Sequence, residues 1–259
     1  MTKLSIVIPA YNEEKRIQET LDSYIDFFQK VYKKDFEIII VLNGCTDNTL
    51  FIVKKYAKKH DFIIYRDFKE AIKKGGAVIE GFKIAKGDYI GFVDADNSTL
   101  PNDFNDLAIK MKESNFDVVV ASRWLKDSIV ETKQPLLKRI GSRGFNLLVN
   151  LLFNLHIKDS QCGAKIFKRN VVKEIIPEIG IANWAFDVNL LFSAKRKGYN
   201  IIEIPTKWNA AEASHFNLFK AIPEMFLGLI RLRLLYSPLK LMIKIYDKLP
   251  EEIKIHHRL

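Results

Sequence analysis

Cysteine, histidine and long apolar runs are scarce in this 259-residue chain, and each shortage excludes a class of protein. Two cysteines are too few for a disulfide framework or a four-ligand zinc site, so the sequence indicates a reducing compartment. The five histidines lack metal-ligand spacing, and no cysteine–histidine pairing indicates a thiol nucleophile. No run of about 18 uncharged apolar residues, the minimum for a membrane-spanning helix, is present.

The chain is basic, with 41 lysines and arginines against 31 acidic residues and a net charge of +10. Such a surface favours anionic partners, which include nucleic acid, phosphorylated small molecules and an anionic membrane. A nucleic-acid-binding module is a remote alternative, which would show a steep salt dependence of binding. The basic residues are spread among helices rather than interleaved with aromatics on a strand face, so we expect no nucleic-acid partner.

Short apolar runs alternate with longer segments of helical spacing up to about residue 121. The pattern predicts strands at 4–8, 37–42, 62–65, 89–93 and 118–121, and helices at 13–29, 47–59, 71–85 and 102–114. This alternation is typical of an α/β fold with a mainly parallel central sheet flanked by helices. In open sheets of this kind, ligands bind beyond the carboxyl ends of the strands.

The alternation changes after residue 121. A long mobile loop is predicted over 126–138, and a helix over 139–155. A further helix is predicted over 187–197, followed by a strand over 201–204. The helix over 139–155 carries an apolar face made by Phe145, Leu148, Leu152 and Leu155.

The last part of the chain predicts C-terminal amphipathic helices. Large apolar residues recur at helical spacing between 216 and 246, with lysines and arginines between them, and Pro223 and Pro238 are predicted to break this stretch. The helices would either pack back on the domain or on a second copy, or lie in a membrane interface with their basic residues at lipid headgroups. We therefore divide the chain into a catalytic domain, 1–215, and a basic helical tail, 216–259.

A pair of aspartates gives the strongest chemical signal. Asp94 and Asp96 directly follow the apolar run 89–93, and two carboxylates at a strand end can converge on one cation. Mg²⁺ and Mn²⁺ prefer such oxygen ligands, together with substrate phosphates. The alternative is an Asx turn or a helix N-cap, because the polar residues before Pro101 are typical of a helix start.

Several further motifs occur in a fixed order with this pair. They are the segment 7–14 (Val-Ile-Pro-Ala-Tyr-Asn-Glu-Glu), Lys74-Gly75, Asp94-Ala-Asp96, Ala121-Ser-Arg123, the segment 159–163 with Lys165, and Trp184-Ala-Phe-Asp187. In this order they resemble the family-two inverting glycosyltransferases of the glycosyltransferase A fold. The chain is most similar to the dolichyl-phosphate sugar synthases, in particular the dolichyl-phosphate glucosyltransferase branch, over residues 3 to 215.

The resemblance implies a nucleotide-sugar donor and a divalent metal, Mg²⁺ or Mn²⁺, held by Asp94 and Asp96. The residues implied to bind the donor are Pro9, Ala10, Tyr11, Glu13, Asn43, Lys74, Asp94, Ala95 and Asp96. The family usually has two aspartates where this chain has Leu42 and Asn43, which leaves the nucleotide open. UDP-glucose is favoured by the branch, and GDP-mannose is the alternative.

The implied acceptor is a polyprenyl or dolichyl phosphate, and the family places a phosphate-binding arginine at Arg123. Arg139 and Arg143, four residues apart on one helix face, are further candidates to bind this phosphate, and Lys165 is a weaker one. A lipid phosphate is already ionised, so Asp187 is expected to orient the acceptor or a basic side chain. The alternative acceptor is a sugar hydroxyl, for which Asp187 would act as general base. Asp94, Asp96, Asp187 and Arg123 are thus the expected catalytic residues of a hexosyltransferase in the cytoplasm, peripherally bound to the inner face of the membrane.

Overall fold

The computed structural model describes residues 3–131, 136–180, 185–209 and 218–247. Its first half contains β1 (Leu4–Ala10), α1 (Ile17–Tyr32), β2 (Phe36–Asn43), α2 (Thr49–Lys59), β3 (Ile63–Phe68), α3 (Lys73–Ile84), β4 (Tyr89–Phe92), α4 (Pro101–Glu113) and β5 (Val118–Ser122). Its second half contains β6 (Ile129–Val130), α5 (Leu136–Phe153), β7 (Lys165–Lys168), α6 (Arg169–Ile175), α7 (Phe186–Arg196), β8 (Ile201–Pro205), β9 (Lys207–Trp208), α8 (Leu218–Leu235) and α9 (Lys240–Asp247).

The strands and helices predicted for the first 121 residues are all present. Seven strands form a central sheet in the order β3-β2-β1-β4-β7-β5-β8. The pairs β1/β2, β1/β4, β2/β3 and β5/β8 are parallel, which confirms a mainly parallel sheet. Every residue of β2 is buried, because helices cover both faces of the sheet and two apolar cores result.

Strand β7 was not predicted, and it is antiparallel to both of its neighbours, β4 and β5. Its sequence, Lys-Ile-Phe-Lys, is too short to show a clear period. The close approach of β7 to β4 depends on Gly91, where a Cβ atom would lie 2.6 Å from the carbonyl oxygen of Lys165. An antiparallel strand begins where its parallel neighbours end, so β7 brings the residues before it to the carboxyl ends of β4 and β5.

The loop predicted over 126–138 is wrong in two places. Ile129 and Val130 form β6, which pairs with Lys207 and Trp208 of β9 in a separate two-stranded sheet. Helix α5 begins at Leu136 rather than at residue 139. Residues 132–135 lie outside the described residues. Such short strands depend on a distant partner, which the local sequence does not reveal.

The residues of the apolar face predicted for the helix over 139–155 do pack in the core, although α5 ends at Phe153 and Leu155 follows it. Phe145 and Leu155 are buried in the core, and Leu148 and Leu152 pack against it. The predicted break at Pro238 is confirmed, since α8 ends before it and α9 begins after it. The break predicted at Pro223 is wrong, because this proline lies within α8.

Helix α8 packs on the catalytic part of the chain, with Leu229 and Leu232 fully buried in the same core as α5 and α7. The division at residue 215 therefore stays a prediction. In 3–131, 136–180, 185–209 and 218–247, no helix is long and apolar enough to cross a membrane.

A buried polar cluster joins Tyr236, the residue after α8, to helix α7. The hydroxyl of Tyr236 donates to Asn189 Oδ1 at 2.8 Å and lies 2.7 Å from Ser193 Oγ. The guanidinium of Arg196 lies over the Tyr236 ring, 4.5 Å from its centroid. Asn189 and Ser193 are each 1 % exposed, so their polar atoms depend on protein partners.

We expect Tyr236→Phe to lower the free energy of unfolding by about 1–3 kcal/mol, because Asn189 Oδ1 and Ser193 Oγ would lose a buried partner. Urea denaturation measures this change. The double variant Tyr236→Phe/Ser193→Ala should be less destabilised than the sum of the two single variants, since both members of one contact are removed. Additive effects of the two substitutions on the free energy of unfolding would contradict a direct contact between Tyr236 and Ser193.

Candidate active site

The carboxyl ends of β1, β2 and β4 and the start of α3 enclose a cavity of about 230 Å³. We call it the carboxylate cavity. Its lining residues are Pro9, Ala10, Tyr11, Glu13, Asn43, Lys74, Asp94, Ala95 and Asp96. The structure therefore brings together all nine residues that the sequence predicts for nucleotide-sugar binding.

Asp94 is enclosed by groups from two other parts of the chain. Its Oδ1 lies 2.5 Å from Lys74 Nζ, and a Cβ atom at Gly163 would overlap its Oδ2. Burial raises the pKa of Asp94 above its usual value, and the neighbouring Asp96 adds to this, whereas Lys74 opposes it. Burial also opposes the charge on Lys74, but Asp94 and the other carboxylates outweigh it and raise the pKa of that ammonium.

Helix α1 fixes the backbone that carries the two aspartates. Thr20 Oγ1 donates to the carbonyl of Ala95 at 2.8 Å, and Tyr24 Oη donates to the carbonyl of Thr99 at 2.9 Å. Within the turn, the backbone N–H of Ser98 donates to Asp96 Oδ1 at 3.1 Å. The Asx turn that was the alternative to a metal site therefore exists. It leaves both carboxylates at the cavity wall.

Left-handed backbone conformations occur in the loops around this cavity. Asn12, Lys73 and Asn97 have φ values of 52°, 64° and 57°. Gly44 has a φ of 69°, and a Cβ atom there would lie 2.9 Å from the backbone nitrogen of Ala71. Non-glycine residues in this region are strained, and such strain concentrates at functional sites.

Glu13 and Asn43 complete the polar wall of the carboxylate cavity. Burial raises the pKa of Glu13, although Arg16, whose Nε donates to Glu13 Oε2 at 2.8 Å, opposes this. Asn43 accepts a hydrogen bond on Oδ1 from the backbone N–H of Ile72 at 2.6 Å, which joins β2 to the start of α3. The amide nitrogen of Asn43 and the second lone pair of its Oδ1 are the groups that a bound base could contact.

A second cavity, of about 220 Å³, is lined by arginine and tryptophan side chains. We call it the arginine cavity. Its lining residues are Arg123, Trp124, Leu125, Val130, Arg139, Arg143 and Trp208. Three of the four residues predicted to bind a lipid phosphate are thus brought together. The Arg143 guanidinium lies 4.8 Å from the Trp124 ring centroid, and that of Arg123 lies 5.2 Å from the Trp208 ring.

Arg123 is held by Asp159, a residue to which the sequence assigned no role. Arg123 Nε and one terminal nitrogen donate to the two oxygens of Asp159 at 2.7 and 2.8 Å. Burial works against the charged guanidinium, but Asp159 outweighs it and raises the pKa of Arg123. Asp159 is placed in turn by Glu203, whose carboxylate accepts the backbone N–H groups of Lys158 and Asp159 at 2.7 and 2.8 Å.

Lys165 and Asp187 form a buried ion pair. Lys165 is fully buried, and its Nζ donates to Asp187 Oδ1 at 2.5 Å and to the carbonyl of Cys162 at 2.7 Å. The ammonium is enclosed and does not line the arginine cavity, so the structure does not bring Lys165 together with the three arginines predicted to bind the same phosphate. Burial would raise the pKa of Asp187, but Lys165 and Lys74 outweigh it and hold that pKa below its usual value.

The sequence analysis assigned no role to several residues that support the two cavities. Gly163 and Asp159 were quoted only as part of a motif, and Trp208 was not considered. Trp184, from another quoted motif, lies outside the described residues. Cys162 is fully buried, and burial raises its pKa to about 12, which agrees with the expectation that it is not a nucleophile.

The carboxylate oxygens of the carboxylate cavity fit a hard divalent cation whose remaining ligands come from a substrate. Within the described ranges, no three histidine, cysteine, aspartate or glutamate side chains form a metal-binding group. Asp94 and Asp96 supply two carboxylates at one cavity wall, and Mg²⁺ is commonly bound by one or two carboxylates plus substrate phosphates.

Comparison with known families identifies the fold around these cavities. The model of Glycosyl transferase family 2 matches residues 5–176, which is more than half of the chain. This chain belongs to glycosyl transferase family 2. A relative, dolichyl-phosphate beta-glucosyltransferase from Dictyostelium discoideum, is 35 % identical over 243 residues, which cover 90 % of this chain and 74 % of the relative. The protein of the same name from Saccharomyces cerevisiae is 34 % identical, with 90 % and 75 % covered.

Solved structures of other glycosyltransferases confirm the predicted glycosyltransferase A fold. Glucosyl-3-phosphoglycerate synthase from Mycobacterium tuberculosis, in complex with Mn²⁺, UDP and glucosyl-3-phosphoglycerate, has a TM-score of 0.66 at 16 % identity. The match covers 90 % of this family 2 chain and 79 % of that protein. S. aureus TarS with UDP-GlcNAc has a TM-score of 0.60 at 22 % identity, with 92 % and 68 % covered.

We expect Gly163→Ala to weaken Mn²⁺ binding about tenfold or more, because the added methyl group would push the Asp94 carboxylate out of place. Electron paramagnetic resonance of free Mn²⁺ measures the affinity. Gly144→Ala is the matched control, since a Cβ atom there meets nothing within 4 Å. Equal Mn²⁺ affinity of the two variants would contradict the role given to Gly163.

Proposed function

We propose that this chain transfers a hexose, with inversion, from a nucleotide-sugar to a polyprenyl phosphate such as dolichyl phosphate. The observation that carries the proposal is the pair of cavities, one lined by carboxylates and one by arginines, on either side of the segment 159–163. The names of the relatives from Dictyostelium discoideum and Saccharomyces cerevisiae support both the donor class and the acceptor.

The carboxylate cavity takes the donor. UDP-glucose is the favoured donor, supported by the names of the relatives and by UDP in the related structures. GDP-mannose remains the alternative, because Asn43 offers an amide where the family usually has a carboxylate. Asp94 and Asp96 would hold Mg²⁺ or Mn²⁺, and a cation bound there neutralises charge on the departing diphosphate.

The arginine cavity takes the acceptor phosphate. Guanidinium groups bind phosphate oxygens in pairs and keep their charge at all physiological pH values. Arg123 is oriented by Asp159, and the stacked Arg143 and the neighbouring Arg139 reach the same cavity from α5. Held in this way, a phosphate oxygen is positioned to attack the anomeric carbon, and positioning of this kind supplies much of the rate.

The state of Asp187 favours a phosphate acceptor over a sugar hydroxyl. A general base must accept a proton, and its efficiency falls as its pKa falls below the working pH. Asp187 is engaged by Lys165 at 2.5 Å, and its pKa is held low, so it is a weak base. An ionised phosphate has no proton to give up, and Asp187 then serves to orient basic groups near the acceptor.

The same helix that carries two of the arginines also carries an exposed apolar stripe. Ile140, Leu147 and Leu151 of α5 are 60 %, 70 % and 78 % exposed. Helix α8 packs on α5, helix α9 packs on α8, and both carry exposed apolar residues as well. Their exposed apolar residues are Phe226, Leu227, Leu241 and Ile245. We propose that this surface lies on the inner face of a membrane, next to the phosphate of the lipid acceptor.

The function is tested with purified protein, Mn²⁺ or Mg²⁺ and dolichyl phosphate in detergent, with UDP-glucose, GDP-mannose and UDP-N-acetylglucosamine offered in parallel. We expect transfer from one donor and its loss in Asp96→Asn. Arg143→Gln should raise the KM for dolichyl phosphate about tenfold, because a charged phosphate contact is lost, and should leave the donor KM unchanged. Arg66→Gln, an exposed arginine on β3, is the control.

Transfer to a soluble sugar hydroxyl, and not to the lipid, would contradict the proposed lipid-phosphate acceptor. It would favour Asp187 as general base, in which case Asp187→Asn would abolish the reaction.

Membrane binding is tested by flotation with anionic liposomes. Leu147→Asp/Leu151→Asp should reduce flotation several-fold, because two charges would enter the apolar interface. Phe51→Asp is the matched control, since Phe51 is 71 % exposed on α2, which packs on the opposite face of the sheet. Unchanged flotation would contradict the membrane surface, and conversion of a dimer to a monomer would favour the homodimer instead.

A further inference from the structure

The ammonium of Lys74 lies where a cation would bind Asp94. Lys74 Nζ is 2.5 Å from Asp94 Oδ1, while Oδ2 is packed against Gly163. A Mg²⁺ or Mn²⁺ ion binds a carboxylate oxygen at about 2.1 Å. Such an ion at Asp94 would therefore stand next to the ammonium, and two positive charges would compete for one carboxylate.

The charges around the carboxylate cavity make each ligand bind less tightly alone than together with the other. Among the residues that line it, Lys74 is cationic and Glu13, Asp94 and Asp96 are acidic. A diphosphate that enters by itself meets three carboxylates, whereas a divalent cation that enters by itself must compete with Lys74 for Asp94. When both enter, the cation takes the carboxylates and the diphosphate supplies a new partner for the ammonium.

We propose that Lys74 is an internal counter-ion that makes the binding of a divalent cation and of a nucleoside diphosphate mutually dependent. The Lys74 side chain is 40 % exposed, so it has room to exchange Asp94 for phosphate oxygens. Lys74 follows Lys73, whose left-handed backbone begins α3. The inference rests on the donor site of the proposed function and adds a coupling between its two ligands.

The coupling is measured on the full chain, without lipid, as the Mn²⁺ affinity in the absence and presence of UDP and, separately, of GDP. In the wild type, one nucleotide should tighten Mn²⁺ binding roughly tenfold or more, and Mn²⁺ should tighten that nucleotide by the same factor. Lys74→Met should bind Mn²⁺ alone several-fold more tightly than the wild type and should lose most of the coupling. Lys74→Gln, which keeps a donor without the charge, should behave in the same way.

The control is Lys83→Met, on the same helix, where Lys83 lies 2.5 Å from Glu80 on the surface. It should bind as the wild type does. The inference is overturned if folded Lys74→Met or Lys74→Gln binds Mn²⁺ alone no more tightly than the wild type, or keeps the full coupling. If the wild type binds neither Mn²⁺ nor a nucleotide, the donor site of the proposed function fails as well, which is a separate result.

Discussion

Residues 159–163 form a frame that connects the two cavities. At one end of this segment Asp159 holds Arg123 by two hydrogen bonds, and at the other end Gly163 packs against Asp94. The contacts are only four residues apart, so this segment connects the positions of the carboxylate and arginine cavities. A reaction between two phosphorylated substrates requires such a frame, because small errors in position cost large factors in rate.

The buried charges around this frame are balanced by neighbouring side chains rather than by solvent. Burying a lysine and an aspartate as a pair gains little stability, since the loss of hydration offsets their attraction. The pair of Lys165 and Asp187 is thus better explained by its effect on the charges in the site. Asp187 also interacts electrostatically with Lys74 and Arg123, one residue from each cavity.

The sequence predicted more of the donor side than of the acceptor side, for a physical reason. Most residues predicted to bind the donor lie at the carboxyl ends of β1, β2 and β4, in short motifs that carry the family resemblance, so the sequence alone was enough to group them. Lys165 lies on β7, whose place between β4 and β5 depends on partners far away in the chain. Its burial therefore could not be deduced, and the same holds for Asp159 and Trp208, which act through contacts with Arg123.

The position of β7 also bears on the order in which the chain can assemble. Strands β4 and β5 do not pair with each other, so nothing in the sheet joins β5 to β4 until residues 165–168 insert between them. During synthesis from the N-terminus, β4 must wait with one edge unpaired while more than 70 residues follow it. Such an edge invites pairing with other chains. The nascent chain thus has an aggregation-prone interval, which ends only when β7 has emerged and paired with β4 and β5.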